Sequence, residues 1–232
     1  MAVNTNLLLI YEILLSKFNN QKWWPAETPF EVVIGAILTQ SVSWTNVEKA
    51  IKNLKDFGIL EPGKLHQKEA IEIAPLIKST RFYNEKAKKI KNFLDFFYDE
   101  YGGNLQKMSE ESQVILRQKL FTIKGLGEET VDSILLYACD KPVFVVDAYT
   151  RRIFSRYGII KETASYGDIQ TFFMDNLPED LELYNDFHAQ IVHLGKNICK
   201  TLPQCNICPI REISGKVKCR HCLEMIKNNL QT

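Results

Sequence analysis

Apolar residues recur at helical spacing through almost the whole chain. Leu7, Leu8, Leu9, Ile10, Ile13, Leu14 and Leu15 crowd the stretch 6–18 and predict a buried helix. The run from Glu31 to Leu38 follows Pro29, which suits a first helical turn. Val47, Ile51 and Leu54 repeat at helical spacing with lysines between them, and Gly58 ends that run. Residues 84–101 alternate basic and apolar faces and stop at Gly102 and Gly103. The pattern predicts further helices over 110–120, after Gly127, after Asp147, over 166–176 and over 180–199. One run, Val143 to Val146, is β-like, and it is short enough to read as a buried extended connector. The expected fold is all-α, built from about ten helices joined by connections of ordinary length. The sequence shows no internal repeat, and its polar tail after Cys222 is expected to fray.

Bulk properties narrow the class. The chain has 232 residues, 45% hydrophobic and 25% charged, which suits one large globular domain or two small ones. No apolar run is long enough to span a bilayer. The N-terminal stretch has neither a basic leader nor a small-residue cleavage site, so it does not read as a signal peptide. A soluble, intracellular protein with no membrane partner is expected. The net charge of +1 neither demands nor excludes nucleic acid, so a phosphate-binding surface has to be a local patch. Of the six cysteines, Cys139 stands apart and reads as a packed helix residue, while Cys199, Cys205, Cys208, Cys219 and Cys222 crowd the C-terminus. In an intracellular chain such a cluster points to metal rather than to disulfides.

The most informative segment runs from Leu120 to Leu136: a helix, a tight turn at Gly125, Leu126 and Gly127, then a second helix. Two glycines one residue apart allow positive φ and close approach of backbone N–H groups to a ligand. The following helix adds the positive end of its dipole. Such a hairpin can grip a DNA phosphate without reading sequence. An isolated Gly-x-Gly is more often a plain helical corner. Asp147 follows the apolar run 143–146 at an expected helix start, near the mouth of a dry cleft; alone, it would read as an ordinary N-cap.

Together these segments resemble a known family. Ile123, Lys124, Gly125, Leu126 and Gly127, then Thr130, the apolar Ile134, Leu135 and Leu136, and Val145, Val146 and Asp147 are similar to the helix-hairpin-helix and catalytic-aspartate signature of the endonuclease III superfamily of DNA glycosylases. The similarity extends to Leu38, Thr39 and Gln40 and through 188–208. It implies two helical lobes with the active-site cleft between them. One is a six-helix barrel over 26–134 that contains the hairpin. The other, 1–25 with 135–232, carries the catalytic aspartate and a metal-cluster loop. It further implies that Asp147 is the catalytic carboxylate, that Lys124, Gly125, Leu126 and Gly127 meet DNA, and that Gln40 fills the gap a flipped base leaves. One position departs from the bifunctional members, which carry a catalytic lysine two residues after the second glycine. Glu129 stands there, so a Schiff base cannot form at that position and the lyase step is expected to be weak or absent. Lys124 lies elsewhere in the turn and is not read as the nucleophile.

All three tryptophans fall between positions 23 and 44. A flipped base is held by stacking between aromatic or apolar faces, although buried tryptophan is also ordinary core packing. Trp23, Trp24 and Pro25, Trp44 after the Leu38–Gln40 segment, and Arg81, Phe82, Tyr83 and Asn84 resemble the 3-methyladenine glycosylase branch of the superfamily. That resemblance implies a base held by Trp23, Trp24 and Pro25 facing Trp44, with Lys196 matching a pocket lysine, and with no obvious carboxylate to pair with the base. The cysteine-rich tail departs from some members of that branch.

The spacing Cys199-x5-Cys205-x2-Cys208, followed by another cysteine, resembles the superfamily's [4Fe–4S] loop, which needs four converging thiolates. Cys219 is taken as the fourth ligand and Cys222 as the contender. The rival is a structural zinc on Cys205, Cys208, Cys219 and Cys222, a good tetrahedral pattern that leaves Cys199 idle. Either centre would fix a loop whose Arg211, Lys216, Lys218 and Arg220 could meet phosphates. The reading is thus a monomeric, monofunctional glycosylase acting on double-stranded DNA with a damaged base, an alkylated purine such as 3-methyladenine. Two alternatives stay open: a mismatch thymine or uracil glycosylase on the same scaffold, and a non-catalytic hairpin DNA-binding protein.

Overall fold

The computed structural model of the chain describes residues 7–213, 216–217 and 219–229. The polypeptide divides into two units, one of residues 24–141 and one that joins the N-terminal segment through Trp23 to everything from Pro142 onward.

In the 24–141 unit, Thr28 starts helix α2 (Pro29–Leu38), which follows α1 (Leu7–Phe18) in the chain. The Thr28 hydroxyl accepts the Glu31 N–H at 3.1 Å, and Pro29 supplies the first-turn φ, so entry to this helix is set by the local sequence. Every residue from Phe30 to Leu38 is buried, as expected of a helix apolar on all sides. Helices α3 (Trp44–Asp56), α4 (Pro62–His66) and α5 (Ala70–Ile73) and a 3₁₀ segment (Ala74–Thr80) follow. Then come α6 (Tyr83–Tyr101), α7 (Leu105–Glu110), α8 (Gln113–Phe121) and α9 (Glu128–Ala138). Helix α2 packs on α9 and α6, and α3 packs on the 3₁₀ segment. Arg117 clamps the fully buried Asp132 with two hydrogen bonds of 2.7 and 3.0 Å, tying α8 to α9 on either side of the glycine turn.

The helix predicted over 110–120 is α8, which starts three residues later at Gln113, with the unpredicted α7 before it. Ser112 accepts the Ile115 N–H at 3.4 Å and starts α8, while Glu111 is extended, so a side-chain cap breaks the apolar period. The segment 59–83, which carries no expected helix, forms α4, α5 and the 3₁₀ turn. Thirteen α-helices are present among the described residues, against the ten or so expected, and the fold is all-α.

The second unit contains α1, α10 (Ala148–Tyr157), α11 (Tyr166–Asp175), α12 (Leu181–Asn197), a 3₁₀ turn (Cys205–Ile207) and α13 (Arg220–Asn229). Helix α12 is its spine, with α1 and α10 against it. The run Val143–Val146 is buried and unpaired with any strand, as the pattern predicts. Its backbone is satisfied by α11: Gln170 Nε2 donates to the Phe144 carbonyl at 2.7 Å, and the Val146 N–H donates to Tyr166 Oη at 3.3 Å. Phe144 stacks on Phe173 at 4.3 Å and meets Tyr184 and Phe187 edge-on, which anchors the connector into the aromatic core. A two-residue antiparallel pair, β1 (Glu212–Ile213) with β2 (Lys216–Val217), is too short to register in the sequence pattern. Where fraying is expected after Cys222, α13 instead runs on to Asn229. No helix among the described residues is long and apolar enough to cross a membrane.

Helices α10 and α12 approach so closely that a Cβ on Gly195 would lie 2.3 Å from Tyr149 Cδ1. We expect Gly195→Ala to destabilise the protein by about 1–3 kcal/mol through overpacking. The measurement is a urea titration: a lowered midpoint with an unchanged slope is expected, and an unchanged midpoint would show that the contact relaxes without cost.

Candidate active site

The glycine turn is built from its φ angles. Gly125 has φ +100°, in the region that favours glycine, and a Cβ there would also strike the Lys89 side chain at 2.7 Å. Gly127 has φ −103° and is extended, so only the first glycine needs the left-handed region. Gly127 is the N-cap of α9 and offers no capping side chain, which suits that helix start to an anion. Leu126 is buried and anchors the turn from below, leaving the backbone of the turn as what it offers a ligand. Lys124 is exposed, and its carbonyl accepts Asn92 Nδ2 at 2.9 Å. Glu129 is exposed in the first turn of α9 beside Glu128.

Gln40 is held on this hairpin. Its Nε2 donates to Thr130 Oγ1 at 3.0 Å and to the Gly125 carbonyl at 3.3 Å, while Lys89 Nζ donates to its Oε1. Inserting Gln40 into a duplex therefore requires breaking those bonds. Sequence reading missed Lys89 and the buried Lys86. Lys86 Nζ donates to the carbonyls of Leu38 at 2.8 Å and Thr80 at 2.5 Å, closing the end of α2. Burial, with Lys89 and Arg81 nearby, lowers the Lys86 ammonium to about 8.

The tryptophans are arranged differently from the expected sandwich. Trp23 closes one unit and Trp24 opens the other. Trp24 and Trp44 meet edge to face, centroids 5.2 Å apart and planes at 86°, and Trp24 also touches Tyr137 at 5.3 Å. Perpendicular rings in contact leave no slot for a base between them, so the facing walls inferred for these two residues are not present in this geometry. Gly35 makes room for Trp24, whose ring lies 3.3 Å from where a Cβ would sit. Trp24, Pro25 and Trp44 instead line a pocket of about 320 Å³ together with Glu31, Glu48 and Lys55. Trp44 Nε1 donates to Glu48 Oε1 at 2.8 Å, and Lys55 bridges Glu27 and the buried Glu31, at 2.9 Å each. Glu31 and Glu48 are thus carboxylates beside Trp24 and Trp44 in this pocket. Lys196 is exposed in the last turn of α12.

Asp147 is the N-cap of α10. Its Oδ1 accepts the Thr150 N–H at 2.7 Å and the Thr150 hydroxyl at 2.8 Å. Its side chain is only 10% exposed, and Oδ2 lies 3.8 Å from Nε2 of the buried His188 on α12. Burial lowers the His188 imidazole below its usual range, opposed by the Asp147 charge. Thr150, at the capping distance from an acid, was a readable signal. His188 carried none beyond its place in a helical run.

Five thiols, Cys199, Cys205, Cys208, Cys219 and Cys222, line one apolar pocket with Ile153, Tyr157 and Ile210. Among the described residues no three ligand-type side chains are set around a metal position. Their chemistry nevertheless fits a soft-ligand metal group: Cys222 hydrogen-bonds with both Cys205 and Cys219, and burial pushes the Cys208 thiol up to about 11. Arg156 Nη1 donates to Cys199 Sγ at 3.5 Å and to the Lys200 carbonyl, pinning the start of the loop to α10. Cys139 is buried, and burial raises its thiol to about 11, in keeping with a packed helix residue. Arg211 pairs with Glu212 at 2.8 Å and Arg220 approaches Glu224 at 3.8 Å, so two of the loop's cations face their own acids. Lys218 and the side chain of Lys216 lie outside the described residues.

The chain is similar to known proteins in sequence and fold. Residues 34–179 match the family described as HhH-GPD superfamily base excision DNA repair protein. A Methanocaldococcus jannaschii protein named "Putative DNA repair glycosylase MJ1434" is 50% identical over 205 residues, 88% of this chain and 93% of its own length. The 3-methyladenine DNA glycosylase MagIII of H. pylori, solved with 1,N6-ethenoadenine, is 30% identical with a TM-score of 0.75, covering 83% of this chain and 98% of that one. An endonuclease III–DNA complex shares the fold at 22% identity and a TM-score of 0.79, over 96% of this chain and 99% of that one. The match over most of the chain, with the 50% identical relative, places the chain in the HhH-GPD superfamily of base excision DNA repair proteins.

Proposed function

We propose that this base excision DNA repair glycosylase is monofunctional and that Asp147 is its catalytic carboxylate. The observation that carries the reading is the state of Asp147: a nearly buried carboxylate at a helix N-terminus, with one oxygen held by Thr150. The hairpin around Gly125 holds a phosphate by its backbone N–H groups, and Lys124 adds a charge. Once the base is flipped out, the N-glycosidic bond breaks and the base leaves with the electron pair. Asp147 stabilises the positive charge that develops on the sugar and accepts a proton from the water that attacks the same carbon. Glu129, in the place of the family's lyase lysine, supplies no amine, so the product is an abasic site in an unbroken strand.

For the substrate, the matching tryptophans and the 30% identity to a 3-methyladenine glycosylase support an alkylated purine. A cationic base also suits a pocket with Glu31 and Glu48 in its wall, since indole faces and carboxylates both favour positive charge. The edge-on contact of Trp24 with Trp44 favours a second reading, a mismatch uracil or thymine glycosylase that does not need a two-sided stack. The family's [4Fe–4S] group would be held by Cys199, Cys205, Cys208 and Cys219, where it would serve to fix the loop. A structural zinc is the alternative.

Single-turnover base release from duplexes carrying 3-methyladenine, uracil or thymine tests the assignment. Release of 3-methyladenine is expected, with strands nicked only after alkali and no adduct trapped by borohydride. Release of uracil or thymine alone would move the protein to the mismatch reading, and efficient trapping would end the monofunctional one.

Asp147→Asn preserves size and removes charge. Base release is expected to fall by about a hundredfold or more while affinity for an abasic-site analogue is kept. Wild-type release by this variant would falsify the assignment.

Anaerobically purified protein is expected to be brown, with iron and sulfide in equal amounts. Cys219→Ser should lose them and Cys222→Ser should retain them. Colourless protein carrying one zinc per chain would assign the site to zinc, and the reverse pattern of variants would make Cys222 the fourth ligand.

A further inference from the structure

We infer that His188 is a positioning residue for Asp147, holding the carboxylate oxygen that Thr150 does not hold. This rests on the reading of Asp147 as the catalytic carboxylate. A carboxylate that must both cap a helix and face a developing cation needs its two oxygens to be distinguished. Thr150 does this for Oδ1 with two donors, at 2.7 and 2.8 Å. Those bonds alone leave the group able to turn about its Cβ–Cγ bond once a helix N–H loosens. Oδ2 lies 3.8 Å from His188 Nε2, the other polar side-chain atom the structure sets against this carboxylate.

The ring is built in. His188 is 5% exposed, on the face of α12 against which α10 packs. The 2.3 Å approach that excludes a side chain at Gly195 brings α10 and α12 together, and that same packing sets the Asp147–His188 distance. Asp147 is the charged side chain whose field acts on the ring, and burial disfavours the imidazolium. A neutral imidazole can present Nε2–H to Oδ2 without cancelling the negative charge that the sugar cation requires. A lysine or arginine there would cancel it. The 3.8 Å separation is about an ångström longer than a hydrogen bond, so a small turn of the carboxylate closes it.

The test compares His188→Leu, which has no donor, with His188→Gln, whose amide donates from a similar reach, in the full chain and with Asp147→Asn beside them. His188→Leu is expected to lower the single-turnover rate by about ten- to a hundredfold, with binding to an abasic-site analogue unchanged. His188→Gln should recover most of the rate. Thermal melts identify a variant that fails to fold. In that case the Gln variant decides alone: a folded His188→Gln at the wild-type rate supports the role, and one as slow as Asp147→Asn overturns it. A folded His188→Leu with the wild-type rate also overturns it. Activity in Asp147→Asn would instead remove the premise, a result distinct from either His188 outcome.

Discussion

The constraint on which the C-terminal unit depends is the satisfaction of polar groups where the buried run Val143–Val146 meets the start of α10. Four apolar residues travel through the aromatic core with no strand to pair with, so each backbone group must find a side chain or be lost to desolvation. Gln170 and Tyr166 from α11 supply two of those partners, and Asp147 supplies the cap that turns the chain into a helix. The acid stands at the end of a dry connector because the connector ends there, and the helix N–H groups reward a negative charge at that point.

The same economy governs the hairpin. Gly125 takes a left-handed φ that brings the chain round in three residues, and Leu126 plugs the turn from inside. Arg117 and Asp132 then lock α8 against α9, so the backbone presented to a ligand is rigid rather than merely available. Gln40 rests on this turn through Thr130 and Gly125, with Lys89 holding its other end. Gln40 is thus stored on the hairpin, and moving it would break these contacts.

The thiol loop follows a different logic. It carries little regular structure of its own: a 3₁₀ turn, a two-residue β pair and the first turn of α13. Arg156 fixes its entry, and its interior is an apolar pocket walled by α10 and the end of α12. A loop so sparsely bonded in its backbone is held by its thiol-lined apolar interior and by the Arg156 contacts at its entry.

Much of this was legible in the sequence. The apolar periods marked the long helices, because a helix buried on one face or on all faces must place its apolar residues at those spacings. The left-handed turn at Gly125 and the helix cap at Asp147 were readable because each is set by backbone geometry or capping within a few residues. The cap at Ser112, which starts α8 later than predicted, was also local, yet the apolar period ran past it. What the sequence could not give was any contact between residues far apart in the chain. His188 beside Asp147, Lys89 on Gln40, Trp24 edge-on to Trp44 and Glu48 on Trp44 Nε1 depend on which helix faces meet, and at what distance. The residue types in one stretch do not encode the orientation of another; close packing of α2 on α9, and of α12 on α1 and α10, decided it.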